Sequence, residues 1–573
     1  MTRRLALALS ALLAVFSPAK AAPPRLVVVV VADQLRADLL QRYEGLFEAG
    51  GSRGFLRFVA EGATYRRAVY RYATTFTGPG HALVLTGSYP YRNGVAGNYW
   101  YDRKLGKMAY CVQDFETEWA PVGVEKAKSI SPRTLLGSTV GDELKLASPA
   151  SKVASFAIKD RSAVFLGGHA ADAAVWCDDQ GTGRLVTSRY YGDALPKKIV
   201  ALDGGAAGPA LADRILAEFP EWRLLREPAL YAARSGVAED APRFENRPIE
   251  RAWPWAGSAF PHVFPKSKDD PLFPSRYFLL ATSPFGDDLT LRAALALREE
   301  YALGEDDVPD VLAVSFSSPD YVGHAFGPDS WETMDELLRL DSKIAALFAA
   351  LDAVPGLAGR YVIALTSDHG VASVPALSKS RGLDAGTVEF AAKGEHWKTI
   401  NREMTRKLAP YAAGEERVWI GGFEEPSFAL VPAALARAGV AEKAARAALK
   451  EILLSGVVPG VLAAFTREDL ERTGRPGDVL EAAMRRSYYP PRGGDVYVVM
   501  RPFWLEPRSF ATTHGQPHAY DADVPLLLYG QGVRKGARFD ECDVIDLAPT
   551  LSRLLGVNAP SQSEGRVLSE ALE

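Results

Sequence analysis

Cysteine is scarce: Cys111, Cys177 and Cys542 are the only three in 573 residues. No two of them have the spacing of a zinc-binding pair, so cysteine is not expected as the metal ligand. Three cysteines allow at most one intramolecular bridge, for which Cys111–Cys177 is the candidate. Histidine is also sparse, with eight residues. An excess of either charge is missing. There are 66 basic and 70 acidic residues, a net charge of −4 and no basic tail, so electrostatic nucleic-acid binding is not expected. Beyond the N-terminus no run is long and apolar enough to span a membrane. Internal repeats are absent, and alanine-rich stretches such as Ala433–Ala448 are the nearest approach to low complexity.

What is present is globular: 47% hydrophobic and 24% charged residues, with ample length for a large core. The N-terminus has the order of a secretory signal peptide. Arg3 and Arg4 precede the apolar Leu5–Phe16, followed by Ser17-Pro18 and the small-residue site Ala19-Lys20-Ala21. The expected mature chain, 22–573, is exported, without a membrane span, and periplasmic in a Gram-negative cell.

Buried strands stand out as continuous β-branched or apolar runs. They are Leu26–Ala32, Val153–Ile158, Val311–Phe316, Tyr361–Leu365 and Leu526–Tyr529. The first four end in charged or metal-binding residues: Asp33; Lys159-Asp160-Arg161; Ser317-Ser318-Pro319-Asp320; Thr366-Ser367-Asp368-His369-Gly370. In open parallel α/β sheets ligands gather outside the carboxyl ends of the strands. Helices are predicted at Trp331–Leu351, capped by Asp329 or Ser330, and at Ala441–Leu454 and Leu547–Leu555. The fold class is therefore α/β, a mostly parallel central sheet flanked by helices. Two stretches break the βα rhythm, near 170–274 and 371–500, and read as insertions into one catalytic domain that roof the site.

The chemistry centres on Tyr72–Asn98. Thr77 directly precedes Gly78-Pro79-Gly80-His81 and an apolar run, a helix-start pattern. A helix N-terminus suits an anion such as phosphate, so Thr77 is a candidate nucleophile on phosphorus; alone, the stretch also reads as a turn capped by threonine. Asp320 and His324 lie four apart, Asp368 and His369 are adjacent, and His514 sits in Ala511-Thr512-Thr513-His514-Gly515. Asp33, Asp320, His324, Asp368, His369 and His514 would supply six oxygen and nitrogen ligands, three for each of two zincs. An oxygen from Thr77 would complete one shell and activate the hydroxyl. Each piece has a plainer reading, as a cap, a loop or a surface pair. The conjunction at one rim carries the argument.

These motifs, Ala32–Leu40, Thr77–His81, Asn98, Lys159–Arg161, Asp320–His324, Ser367–Gly370 and Thr512–Gly515, together resemble the alkaline phosphatase superfamily, nearest its PafA-type periplasmic members with a threonine nucleophile. The resemblance runs in order over nearly the whole mature chain. It implies one zinc on Asp320, His324 and His514, and a second on Asp33, Asp368 and His369 with Thr77 as its nucleophilic ligand. It implies that Asn98, Lys159 and Arg161 hold phosphoryl oxygens, consistent with the positive charge and planar donors that a monoester dianion needs. The activity implied is hydrolysis of small phosphate monoesters through a phosphothreonine, by a chain expected to be a monomer. Two rivals are a phosphodiesterase or nucleotide pyrophosphatase of the same superfamily and a non-catalytic metal-binding envelope protein. Diesterases of this kind generally lack the Lys-x-Arg pair. A sulfatase is disfavoured because the Cys-x-Pro-x-Arg motif is missing. Thr74 and Thr75 are nearby rivals to Thr77, and His81, His169, His262, His396 and His518 carry no assigned role.

Overall fold

The computed structural model describes residues 22–47, 54–103, 105–235, 260–390, 394–410, 417–475, 477–506 and 510–573. The expected signal peptide, 1–21, lies outside the described residues, as does 236–259 within the first expected insertion.

The first strand, Leu26–Ala32, is wholly buried and forms the spine of an eleven-stranded sheet. Its seven residues all point into apolar surroundings because both faces are covered. Leu26, Val28 and Val30 join one core cluster, and Val27, Val29 and Val31 join the cluster on the opposite face. This explains a run of valines where a half-exposed strand would alternate with polar residues. Burying each such side chain stabilises by about 1.5–3 kcal/mol.

Asp310–Phe316 and Tyr361–Thr366 flank the spine in parallel, and Val153–Ala157 and Ala173–Cys177 extend the sheet in parallel beyond Asp310–Phe316. The expected α/β sheet is thus present, with one refinement. The segment around Leu526–Tyr529 is a strand, Asp523–Gly530, but it runs antiparallel to Tyr361–Thr366. Ala63–Val69 in turn runs antiparallel to it. The sheet is therefore mixed. The reversal matters for the site: the start of Asp523–Gly530 lies at the rim where the parallel strands end, so the chain just before it is delivered there.

Helices cover both faces. Trp331–Asp352 is capped by Ser330, whose hydroxyl accepts from the Thr333 N–H at 3.1 Å. Helices also form at Glu442–Leu454 and Leu547–Leu555. The stretch 170–274 opens with two strands of the main sheet, Ala173–Cys177 and Leu185–Ser188. Within 371–500 lies a separate four-stranded antiparallel sheet, in the order Ile420–Glu424, Ser427–Leu430, Val496–Met500, Val461–Thr466. It has its own buried cluster around Trp419, Phe428, Leu449 and Val498.

The candidate disulfide is not formed: all three cysteines are free and buried. Alternation along Ala173–Cys177 is the reason. Trp176 faces the cluster that contains Cys111, and Cys177, one residue on, faces the core on the other side of the sheet.

Phe316 ends a central strand and is fully buried. Phe316→Ala should destabilise the protein by about 3–5 kcal/mol, read as a lower thermal or urea midpoint.

Candidate active site

The rim fills from six places in the chain. Asp33 follows the first strand directly, Lys159 lies two residues past Val153–Ala157, and Asp368 two past Tyr361–Thr366. Asp320 and His324 sit one turn apart on the helix Ser318–Phe326, which starts just beyond Asp310–Phe316. His514 precedes the reversed strand Asp523–Gly530, and Thr77 lies eight residues past Val69.

Thr77 is the first residue of the helix Thr77–Thr86. Phe76, not threonine, occupies the cap position, and no side chain caps this end. Pro79 is the third helical residue rather than the first, tolerated there because the first-turn N–H groups have no intrahelical acceptor. The Thr77 hydroxyl is therefore not consumed as a cap. Instead Arg161 donates to its Oγ1 from Nη2 at 3.3 Å. The Gly78 N–H donates to Asn98 Oδ1 at 2.7 Å, which orients the amide beside Thr77. Thr75 donates to the Gln516 carbonyl, and Thr74 does not line the cavity over Thr77, so neither rival shares the Thr77 setting.

Asp320, His324 and His514 converge, one ligand atom from each lying within 4.8 Å of the others. His324 Nε2 is 3.4 Å and His514 Nε2 3.6 Å from Asp320 Oδ1. Of the second expected set, His369 Nε2 is 3.6 Å from Asp33 Oδ1 and 3.3 Å from Asp368 Oδ2, but the groups that converge within 4.8 Å divide these residues otherwise: Asp33 with Asp320 and His369, and Asp33 with Asp368 and His81. The two sets abut, with the His369 and His514 rings stacked at 3.6 Å between centroids.

In all three histidines Nδ1 donates to a backbone carbonyl: His324 to Thr512, His369 to Gly370 and His514 to Thr75. That fixes the tautomer and leaves each Nε2 lone pair facing the site. Burial holds His324 down to about 4, with the neighbouring His514 assisting and Asp320 opposing. Burial likewise holds His369 well below the usual histidine range. Both rings are thus neutral at ordinary pH, the state that binds a metal.

The carboxylates differ. Burial raises Asp33 well above the usual range, with repulsion from Asp368 adding and Lys159 opposing. Burial also works to raise Asp320, but Lys159, His324 and His514 outweigh it and leave it well below. Asp368 is lowered despite burial, by His369 and His81. Asp33 Oδ1, Asp368 Oδ2 and His369 Nε2 are buried and lack hydrogen-bond partners. Leaving such atoms unmatched is costly unless a cation completes them. A set of oxygen and nitrogen donors without sulfur fits a divalent metal, zinc included.

Lys159, expected beside phosphoryl oxygens, lines the cavity but also bridges the two sets. Its Nζ is 2.7 Å from Asp33 Oδ2 and 2.5 Å from Asp320 Oδ2.

Several contributors escaped the sequence reading. His81, left without a role, is fully buried; its Nδ1 donates to the Thr77 carbonyl and lies 3.1 Å from Asp368 Oδ2, and its Nε2 meets the Ser315 hydroxyl. Gln34 adopts φ +69°, unusual for a side chain other than glycine, and donates from Nε2 to Asp320 Oδ1 at 2.7 Å. Its place beside Asp33 was the available signal. Asp521 accepts from the Gly515 and Gln516 N–H groups and so holds the loop that bears His514. His262 pairs with Glu332 and His518 with the Met500 carbonyl, both outside the ligand sets. Gly80 and Gly323 permit the close packing: a Cβ at Gly80 would stand 2.4 Å from the Asp368 carbonyl, and one at Gly323 1.9 Å from Gln34 Oε1.

A cavity of about 570 Å³ opens above Thr77, lined also by Asn98, Lys159, Arg161, Asp320, His324 and His514. Among the described residues no helix is long and apolar enough to cross a membrane.

The fold that gathers these groups is shared with known enzymes. The family model for type I phosphodiesterase / nucleotide pyrophosphatase matches residues 27–388. Alkaline phosphatase PhoV of Synechococcus elongatus is 32% identical over 563 residues, covering 97% of this chain and 94% of that protein. Alkaline phosphatase PafA of Elizabethkingia meningoseptica is 31% identical over 553 residues, covering 96% and 94%. The crystal structure of wild-type PafA superposes with a TM-score of 0.83 at 30% identity, covering 97% of this chain and all of that one. A solved PafA variant has a threonine replaced by serine, and an asparagine, a lysine and an arginine replaced by alanine; it superposes with a TM-score of 0.82 at 29% identity. The chain belongs to the type I phosphodiesterase / nucleotide pyrophosphatase family. Within it, the resemblance is to the PafA-type alkaline phosphatases, and the chain is an enzyme of the alkaline phosphatase class.

Gly323→Ala should push Gln34 off Asp320, cost about 1–3 kcal/mol by overpacking, and lower the metal content of the purified protein, checked by thermal midpoint and elemental analysis.

Proposed function

We propose that the chain is an exported phosphomonoesterase. It hydrolyses phosphate monoesters to alcohol and phosphate through a covalent phosphothreonine on Thr77 at a two-zinc site. The observation that carries this reading is the Thr77 hydroxyl at a helix N-terminus, 3.3 Å from Arg161 and beside two buried ligand sets with unmatched atoms. The PafA variant adds support. Its four replaced residues occur in the order threonine, asparagine, lysine, arginine, with the first pair 21 apart and the last pair 2 apart, as in Thr77, Asn98, Lys159 and Arg161.

One zinc would be held by Asp320, His324 and His514 and the other by Asp33, Asp368 and His369 with Thr77; when bound, the pair would supply Lewis acidity to the attacking and leaving oxygens. Thr77 Oγ1 attacks phosphorus, giving up its hydroxyl proton to solvent, while the P–O bond to the leaving oxygen breaks and that oxygen takes up a solvent proton to leave as the alcohol. The Arg161 guanidinium and the Asn98 amide grip the non-bridging oxygens, aided by the helix N-terminus. Lys159 exchanges one of its two carboxylate bonds for a phosphoryl oxygen. Water then attacks phosphorus, releasing inorganic phosphate and restoring the threonine.

The family description favours a second reading, phosphodiester or pyrophosphate hydrolysis. Lys159 and Arg161 argue for the monoester, because its dianion presents one more charge to neutralise than a diester does. We further infer that residues 1–21 are a signal peptide and that the mature chain works in the periplasm. We infer also that 170–274 and 371–500 are insertions into one catalytic domain that acts as a monomer.

Thr77→Ala should abolish phosphate trapping on the protein and lower monoester turnover by at least about a hundredfold; wild-type turnover with trapped phosphate would disprove the nucleophile. The ratio of rates on p-nitrophenyl phosphate and bis-p-nitrophenyl phosphate should favour the monoester. Lys159→Ala with Arg161→Ala should shift that ratio toward the diester. Removing metal with a chelator should abolish phosphate release, and adding zinc should restore it, with two zincs per chain by elemental analysis.

A further inference from the structure

Parallel neighbouring strands end at the same rim, so each delivers the residues that follow it to the same place. Ala173–Cys177 runs parallel to Val153–Ala157. Lys159 lies two residues past one strand, and Asp179 lies two residues past the other. Asp179 accordingly lines the cavity together with Lys159 and Arg161. It belongs to neither ligand set and has no part in the chemistry proposed above. The Tyr321 hydroxyl donates to Asp179 Oδ2 at 2.8 Å, and the centre of the Tyr321 ring lies 5.1 Å from Lys159 Nζ. The carboxylate is thus fixed on the cationic side of the cavity.

Burial pushes the Asp179 carboxyl up to about 6, with Asp160 and Asp178 adding and Tyr321 and Arg161 opposing. The group is therefore ionised at neutral and alkaline pH. Arg161 acts on it through charge alone. The hydrogen bond of Asp179 goes to Tyr321, and the guanidinium instead meets the Tyr110 and Thr77 hydroxyls at 3.4 and 3.3 Å, with its Nε buried and unmatched. Asp179 thus adds negative charge near Arg161 without gripping it. An anion held by Arg161 is repelled by that charge, and because Asp179 is half-buried, water screens the repulsion incompletely.

We propose that Asp179 sets how tightly the site holds phosphate, weakening the dianion at Lys159 and Arg161 so that the product leaves. The inference rests on the reading above that these two residues hold phosphoryl oxygens. Inorganic phosphate and a monoester dianion carry the same charge, so cationic groups that bind the substrate also retain the product. A fixed carboxylate lowers both affinities alike. Such a uniform effect shows in KM and in product inhibition, not in the chemical step. Tyr321, next to Asp320 on the helix Ser318–Phe326, holds the charge in place.

The test titrates inorganic phosphate calorimetrically into the zinc-loaded holoenzyme at alkaline pH, for the wild type and for Asp179→Asn, Asp179→Ser and Asp179→Glu. Asparagine keeps an acceptor for Tyr321 and removes only the charge; serine is the second neutral variant. Phosphate should bind about tenfold more tightly to the neutral variants, and Asp179→Glu should return the affinity toward that of the wild type. With p-nitrophenyl phosphate, KM should fall in step with the phosphate Kd, so that kcat/KM rises; a merely structural defect would lower it. Unchanged or weaker phosphate binding in the folded neutral variants, or a glutamate variant that binds as tightly as they do, overturns the proposal. Calorimetry needs no turnover, so the two readings fail separately: absence of p-nitrophenyl phosphate hydrolysis by the zinc-loaded wild type would overturn the monoesterase reading instead.

Discussion

The structure depends on a concentration of buried acid. Asp33, Asp320 and Asp368 are each at most 3% exposed and reach the same rim within a few ångströms. Carboxylates so close and so dry repel one another and lose their hydration, so the fold must supply positive charge. Lys159 supplies part of it by bonding one carboxylate from each ligand set. The unmatched oxygens of Asp33 and Asp368 and the unmatched nitrogen of His369 mark where further cationic charge belongs.

Holding these groups in place requires rigidity behind them. The central strands are buried on both faces, so the rim cannot shift without disturbing two cores at once. Backbone carbonyls hold the three histidines in one tautomer. His81 connects the Thr77–Thr86 helix to Asp368, and Gln34 connects the first strand end to Asp320, so the acids, the histidines and the threonine are mechanically one unit. Gly80 and Gly323 sit where a methyl group would separate these parts.

Much of this was legible in the chain. The boundaries of Leu26–Ala32 and of the Leu547–Leu555 helix follow directly from apolar patterning. The six ligand candidates could be named because their residue types are chemically restrictive and stand at the ends of strands. The readings that failed did so for tertiary reasons. Thr77 looked like a cap, but the cap position falls to Phe76 and the hydroxyl is left for Arg161. Cys111 and Cys177 looked available to each other, but strand alternation turns them to opposite sides of the sheet. His81 and Gln34 passed unassigned because their partners, Asp368 and Asp320, are hundreds of residues away.

The amino-acid sequence by itself determined which groups can do chemistry: one threonine at a helix start, strand-end acids, a few histidines and the Lys159–Arg161 pair. It did so because a continuous apolar run has one stable environment, and a polar residue at its end must lie where the run surfaces. Only the tertiary structure decided how those groups divide and what faces them. The antiparallel course of Asp523–Gly530 brings His514 to the rim. The smaller sheet brings Glu424 and Glu425 to the cavity that Thr77, Lys159 and Arg161 also line. Strand direction and the docking of one sheet beside another arise from contacts between distant segments, which no local pattern of residues encodes.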